Sequence, residues 1–327
     1  MHRHIVVLLA GAALVLTACG GVQGGSAARD AAGFPTKPVE LTVPSSAGGS
    51  SDSIGRAVAL ALEKPLGQNV TVVNKPGANG AVGGKEVLGS TPDGHRLVML
   101  FKSLMSITPL AVDDPDAIRF DQMSVVAPLT VEDYVLVVPA ASPHRTVADL
   151  IGTGRISYGT TGAGTGSQLA QALLFGAAKV EATDVPFDGG NPTITALLGS
   201  QVDAAVIQIA EAAPQVDAGM LRPLAVFSEA RIPFLKDVPT AKELGYDVVV
   251  DQRRFLAAPA GLAPEALAKL QGAVAAAQRD PQYAEFLERS YISPWNASAE
   301  QVVPHLEEAK KHYADVIAAS GITFKES

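Results

Sequence analysis

A short apolar run, a glycine-rich turn and an amphipathic stretch follow one another four times along this chain. They occur at "LTVPSSAGGSSDS", "VNKPGANGAVGGKE", "ISYGTTGAGTGSQLA" and, in a related form, "VPFDGGNPTITALL". Strand followed by helix, repeated, is the pattern of α/β folds with parallel sheets. A glycine turn at the carboxyl end of a strand leaves backbone amides uncovered, and the following helix adds its own unpaired first amides at the positive end of its dipole. Four such turns predict a site for an anion or polar ligand in the crevice at the strand ends. If the first two belong to one domain and the last two to another, they face each other across a cleft and form a clamp.

The intervening segments fit this frame. "VTVV", "RLVML", "YVLVV", "DAAVI" and "PLAVF" read as further buried strands. "SIGRAVALALEK" places Ile54, Val58, Ala61 and Leu62 on one helical stripe, with Ser51 or Asp52 as its cap. Pro192 marks the first turn of a helix that stops at Gly199, and the C-terminal part is helical, with Pro304 expected in a first turn or at a kink.

The N-terminus carries its own signal. Arg3 precedes "IVVLLAGAALVLTA", a run too short and wrongly flanked for a membrane span, so residues 1–18 read as a cleaved signal peptide. The run ends in "LTACG", and Cys19 is the sole cysteine of the 327 residues. This resembles the bacterial lipoprotein signal, whose cysteine is lipidated and becomes the first mature residue; the alternative is an ordinary secreted protein with a free thiol. Residues 19–35 then form a flexible tether, and the expected address is extracytoplasmic, anchored to the membrane through Cys19.

Composition narrows the function. A formal net charge of −8 without a basic cluster argues against nucleic acid, and 5% aromatic residues against sugar-stacking platforms. A small polar ligand held by backbone and hydroxyl groups is the better fit. Enzyme motifs fail one by one. "NGAVGGKE" has Asn79 where a P-loop needs its first glycine and Glu86 where it needs Ser or Thr. "GAGTGS" ends in Ser167 instead of the last dinucleotide-binding glycine, and Asp52 stands where a nucleophile elbow closes on glycine. The six histidines form no chelating set: His305 and His312 lie about 10 Å apart along one helix. No metal, cofactor or catalytic constellation is expected.

Four charged residues adjoin strand ends or glycine loops. Asp52 and Asp188 either cap and turn the backbone or touch a ligand. Lys102 either reaches a ligand carboxylate or snorkels to the surface. Arg253 and Arg254 lie in an extended stretch and should point to opposite faces, one of them into the cleft, where a guanidinium would grip a carboxylate.

From about Lys37 to about Ile322 the ordered motifs "LTVPSSAGGSSDSIGR", "VVNKPGANGAVGGKEV", "TPDGHRL", "ISYGTTGAGTGSQLA", "VPFDGGNPTITALLGSQVDAAV", "VPTAKELGY" and "AAPAGLAPEALAKL" resemble the solute-binding receptors of tripartite tricarboxylate transporters, also called Bug receptors. The resemblance implies a type II periplasmic-binding-protein fold, a Venus flytrap of two α/β domains around a ligand cleft. Residues 36–139 and 252–327 would form the first domain and residues 140–251 the second. By position it assigns ligand contacts to Ser46, Gly48, Gly49, Asp52 and Ser103 in the first domain. In the second it assigns Thr161, Gly162, Thr165, Gly166, Asp188, Gly189 and Gln208. Ala47 replaces the proline common in the first loop, and Arg253 replaces an aromatic residue. Together with Lys102, the arginine pair suggests a ligand with more than one carboxylate, with Lys102 and Arg254 added to the site; both arginine heads in bulk solvent would sink that idea.

The implied function is capture of a small carboxylate-type solute by a monomeric receptor, without catalysis, and its delivery to integral-membrane permease subunits. A sensory receptor for a signalling partner would share this sequence pattern, and a surface-anchored enzyme acting on a carboxylate would need an acid–base pair that is not apparent.

Overall fold

The computed structural model describes residues 33–324; the signal segment and Cys19 lie outside the described residues. Five strands come from the first part of the chain: β1 (Val39–Val43), β2 (Val70–Asn74), β3 (Arg96–Phe101), β4 (Met123–Pro139) and β5 (Arg155–Thr160). Five follow: β6 (Glu181–Pro186), β7 (Ala204–Gln208), β8 (Leu221–Val226), β9 (Asp251–Pro259) and β10 (Ser293–Pro294). They form one curled sheet in the order β2-β1-β3-β9-β4-β7-β5-β6, with β8 and β10 also pairing with β4.

Each end of the sheet is parallel, as the strand–helix alternation predicts: β1 with β2 and β3, and β5 with β6 and β7. The middle departs from that pattern. β4 and β9 run antiparallel to one another from Met123↔Pro259 to Asp133↔Asp251, and antiparallel to their outer neighbours β7 and β3.

The helices that matter to the site are α1 (Ser50–Leu66), α2 (Ala81–Leu88), α3 (Gly166–Ala177), α4 (Gly190–Leu198) and α5 (Ile209–Asp217). The C-terminal part adds α6 (Pro264–Ala277), α7 (Pro281–Arg289) and α8 (Ala299–Ser320). α1 buries Ile54, Val58 and Leu62 of the expected stripe, with Ala61 only half-buried. Neither Ser51 nor Asp52 caps it: the N-cap is Gly49, and Asp52 reaches back to accept the Gly48 amide at 2.9 Å. Pro304 sits in the second turn of α8 rather than the first, beyond a capping box between Ser298 and Gln301.

Apolar residues gather into two lobes. One core draws on residues 34–129 and 255–306. The other lobe buries both faces of its sheet, with Tyr134, Leu136 and Val138 on one side and Val135 and Val137 on the other. β4 therefore serves both: Leu129 belongs to the first core and Tyr134 to the second. The last helix also changes sides, since Val302 and Leu306 pack in the first lobe and Tyr313 in the second. No helix among the described residues is long and apolar enough to cross a membrane.

Candidate ligand cleft

All four glycine turns open onto one cavity of about 710 Å³ between the lobes. The first lobe contributes Ser46, Ala47 and Gly49 after β1, and Gly77 to Gly80 after β2. The second contributes Thr161, Gly162 and Ala163 after β5, and Phe187 to Asn191 after β6. Glycine is required where these turns bend. Gly80 has φ +95° and a Cβ there would lie 3.1 Å from the Phe101 ring; Gly162 has φ +134°. The result is a cavity walled by main chain, small hydroxyls and a few amides.

Of the residues singled out in the sequence, Ser46, Gly49, Thr161, Gly162, Thr165, Asp188, Gly189 and Gln208 line this cavity. Gly48, Asp52, Lys102, Ser103, Gly166 and Arg254 do not, and each has a structural occupation instead. Asp52 braces the first loop: beyond the Gly48 amide it accepts Asn74 Nδ2 at 2.9 Å and pairs with Arg56. Burial pulls its carboxyl upward, but Arg56, the Gly48 amide and Asn74 outweigh that and hold it below the ordinary range. Ser103 is buried and links Asn79 to Gln252. Gly166 has no room for a side chain, because a Cβ would fall 2.6 Å from the Tyr134 ring.

The three cations are all engaged by protein carboxylates. Lys102 is buried, ion-paired with Asp251 and 5.3 Å from the centre of the Tyr313 ring. Burial would lower its ammonium, yet Tyr313 and Asp251 hold it above the ordinary value. Arg253 pairs with the same Asp251 at 3.0 Å and lies 5.3 Å from the Trp295 ring. Arg254 points the opposite way, as strand alternation requires, and is fully buried. Neither arginine head stands in bulk solvent and neither lines the cavity. A ligand with several carboxylates therefore meets no lysine or arginine at the wall.

Beneath the cavity lies a network in which two glutamates, passed over in the sequence, are central. Arg254 Nη1 pairs with Glu132 Oε2 at 2.8 Å, both side chains having no exposed surface. Arg254 also donates to Ser51 Oγ at 3.1 Å and Ser50 Oγ at 3.3 Å. Glu132 in turn accepts Ser50 Oγ at 2.7 Å and the Ala210 amide at 3.0 Å. With the Gln208 amide turned to match its neighbours, its oxygen accepts Arg254 Nη2 at 3.0 Å and its nitrogen donates to Glu211 Oε2 at 3.3 Å.

Glu211, on α5 of the second lobe, accepts the Ser50 amide at 3.0 Å, the first amide of α1 in the first lobe. The anion at this helix start is thus the protein's own carboxylate. Its seat is made by two glycines. A Cβ on Gly49 would lie 3.1 Å from Glu211 Oε1, and one on Gly190 would overlap the carboxylate. Burial and then the neighbouring charge of Glu132 push the Glu211 carboxyl up to about 7 against the pull of the Ser50 amide and Arg254. Nothing local marks this residue in the sequence, because an acidic side chain in a helix's first turn is ordinary dipole compensation.

A second bridge closes the far side. Asn79 Nδ2 donates to the Gly164 carbonyl at 3.2 Å and Thr108 Oγ1 donates to the same oxygen at 3.0 Å, joining the loop after β2 to the loop after β5. The lobes are thus tied at both flanks of the cavity.

Residues 54–322 match the sequence profile of the tripartite tricarboxylate transporter family receptor. A Cupriavidus necator protein described as "UPF0065 protein in gbd 5'region" is 31% identical over 98% of this chain and 99% of its own length. Protein BugT of Bordetella pertussis is 26% identical over 89% of this chain and 92% of its own. Among solved structures, the periplasmic binding protein BugD superposes with a TM-score of 0.83 at 25% identity, covering 89% of this chain and all (100%) of that one. MatC from Rhodopseudomonas palustris with bound malate superposes with a TM-score of 0.81 at 27% identity, over 87% of this chain and 100% of its own. A further R. palustris protein, solved with adipate, gives 0.83 at 26% identity over 89% of this chain and 100% of its own.

Proposed function

This chain belongs to the tripartite tricarboxylate transporter family of receptors, and from that premise we propose that it captures a small carboxylate-bearing solute outside the cytoplasm and passes it to membrane permease subunits. The observation that carries the reading is the convergence of four glycine turns, two from each lobe, on one cavity. Such walls satisfy the oxygens of a small solute with amides and hydroxyls, and the family makes a receptor rather than an enzyme of the chain. The similar structures solved with malate and adipate support a carboxylate as the solute.

Ser46, Thr161, Gly162, Thr165, Asp188, Gly189 and Gln208 are the contacts we assign, with Gly49 shaping the wall. Bound solute favours the joined arrangement of the lobes by the difference in its affinity for the joined and separated states. Lipidation at Cys19 would keep the receptor beside its permease.

Thermal shift of the purified protein against mono-, di- and tricarboxylates tests capture, because a ligand bound only by the folded state raises Tm. A concentration-dependent rise with a carboxylate is expected; a panel without any rise overturns the reading. Uptake of the labelled solute into permease vesicles, with and without the receptor, tests delivery. Membrane fractionation of a Cys19→Ser variant tests the anchor: retention at the membrane refutes it.

A further inference from the structure

The charges facing the cavity are one-sided. Asp114, Asp188 and Glu211 line it, and no Lys, Arg or His among the described residues does. Asp114 is compensated by Lys85 at 2.8 Å. Asp188 makes no ion pair among the described residues and is exposed at the loop after β6. Glu211 shares the buried guanidinium below, Arg254, with Glu132, which holds that cation directly. Two acidic side chains therefore face the cavity without a cation of their own.

The place where an incoming carboxylate would gain most is already taken. The first amide of α1 is spent on Glu211, whose carboxylate fills the seat left by Gly49 and Gly190. A ligand carboxylate set beside it would meet like charge from Glu211, with Glu132 behind. A cationic nitrogen at the same place would meet the Glu211 carboxylate, and Asp188 stands on the same wall two residues before the Gly190 that seats it. At the turn after β5 the Thr161 and Gly162 amides are spent on Ser167 Oγ and Thr160 Oγ1, and the Thr161 hydroxyl and the Ala163 amide, both on the cavity wall, remain for an oxyanion.

Resting on the reading of this cleft as a carboxylate site, we propose that the solute is a zwitterion, whose carboxylate is received at the Thr161–Ala163 turn and whose ammonium is received by Glu211 and Asp188. Glu211 is thereby the residue that determines specificity between aminated and plain carboxylates.

Calorimetric titration with matched pairs that differ only in the amine tests this: aspartate against succinate, glutamate against glutarate, β-alanine against propionate and 4-aminobutyrate against butyrate. The aminated member of at least one pair is expected to bind ten times or more tighter than its twin. Glu211→Gln, which keeps an acceptor for the Ser50 amide, is expected to remove most of that ratio. Asp188→Asn, at an exposed position where folding is not at risk, is expected to reduce it several-fold. Plain dicarboxylates binding as tightly as their aminated twins, with a ratio unmoved by both substitutions, overturn the inference and leave the carboxylate reading intact. Binding of carboxylate-free amines alone overturns the carboxylate reading and the zwitterion with it.

Discussion

Replacing Arg254 by methionine tests whether the network beneath the cleft is electrostatic at root. The guanidinium is fully buried, pairs with Glu132 at 2.8 Å and donates to two serines of α1. Methionine preserves much of the stem's volume, so the chief loss is charge. Glu132 then remains buried as a carboxylate with no cation, a situation that costs about 3–5 kcal/mol when one partner of a buried pair is removed. Combined with Glu132→Gln, the orphan charge disappears while the amide still offers an oxygen to Ser50 or the Ala210 amide. The double variant should therefore recover a substantial part of the loss, with a coupling energy of roughly 1–3 kcal/mol. Calorimetry reads this as a Tm lowered by roughly 6–15 °C in Arg254→Met and by clearly less in the double variant. A single variant melting within about 2 °C of the parent, or a double variant as unstable as the single, would refute the reasoning.

Three further outcomes follow from the same geometry. Stability should decline as pH rises from the ordinary glutamate value of 4.5 through about 7, because Glu211 holds its proton more tightly folded than unfolded; Asp133, raised to about 6 by burial and then by Asp251 and Glu132, adds to the slope. Urea titrations across that range should show a shallower decline in Glu211→Gln, and an unchanged slope contradicts the assignment. Gly190→Ala should evict the Glu211 carboxylate, which is a mobile side-chain end, and flatten the same pH profile without removing the acid; a profile like the parent's would show that the seat is not as described. Lys102→Met should lower Tm, since it leaves Asp251 short of a partner, yet leave solute affinity within about twofold because Lys102 does not line the cavity; a tenfold loss of affinity in titration would place it in the site after all.

Local pattern in this chain reports local structure well. "VELTV" is β1 and "GSQLAQALLFGA" is α3 to the residue, because burial on both faces and a 3.6-residue stripe are written in adjacent positions. β4 is legible only in part: "YVLVV" marks its second half, while the first is obscured by Pro128, Thr130, Glu132 and Asp133. Glu132 is tolerated there because it meets Arg254 in the network beneath the cleft, which no short window contains. The glycine turns are legible as strand-end turns for the same reason that strands are, through adjacent residues, and the structure brings all four to one cavity. The charged candidates are not legible in that way. Lys102 meets Asp251 across 149 positions, and Arg254 meets Ser51 across 203. Whether a cation is free or spent depends on register between distant strands, and so does the choice of Glu211 as the occupant of α1's first amide.

The division of the first core between residues 34–129 and 255–306 bears on the order in which the polypeptide, delivered N-terminus first, acquires its shape. β1, β2 and β3 come first, but the edge of β3 waits for β9, and α1 waits for α6, until residue 277 has arrived. Meanwhile most of the second core, between residues 134 and 250, is complete and free to condense. The portion read first is thus the last to be sealed, and it stands with an unpaired apolar strand edge through the interval. A holdase that recognises such an edge would find its target in "RLVMLF", and a chain truncated before β9 should stay bound to it where the full chain is released.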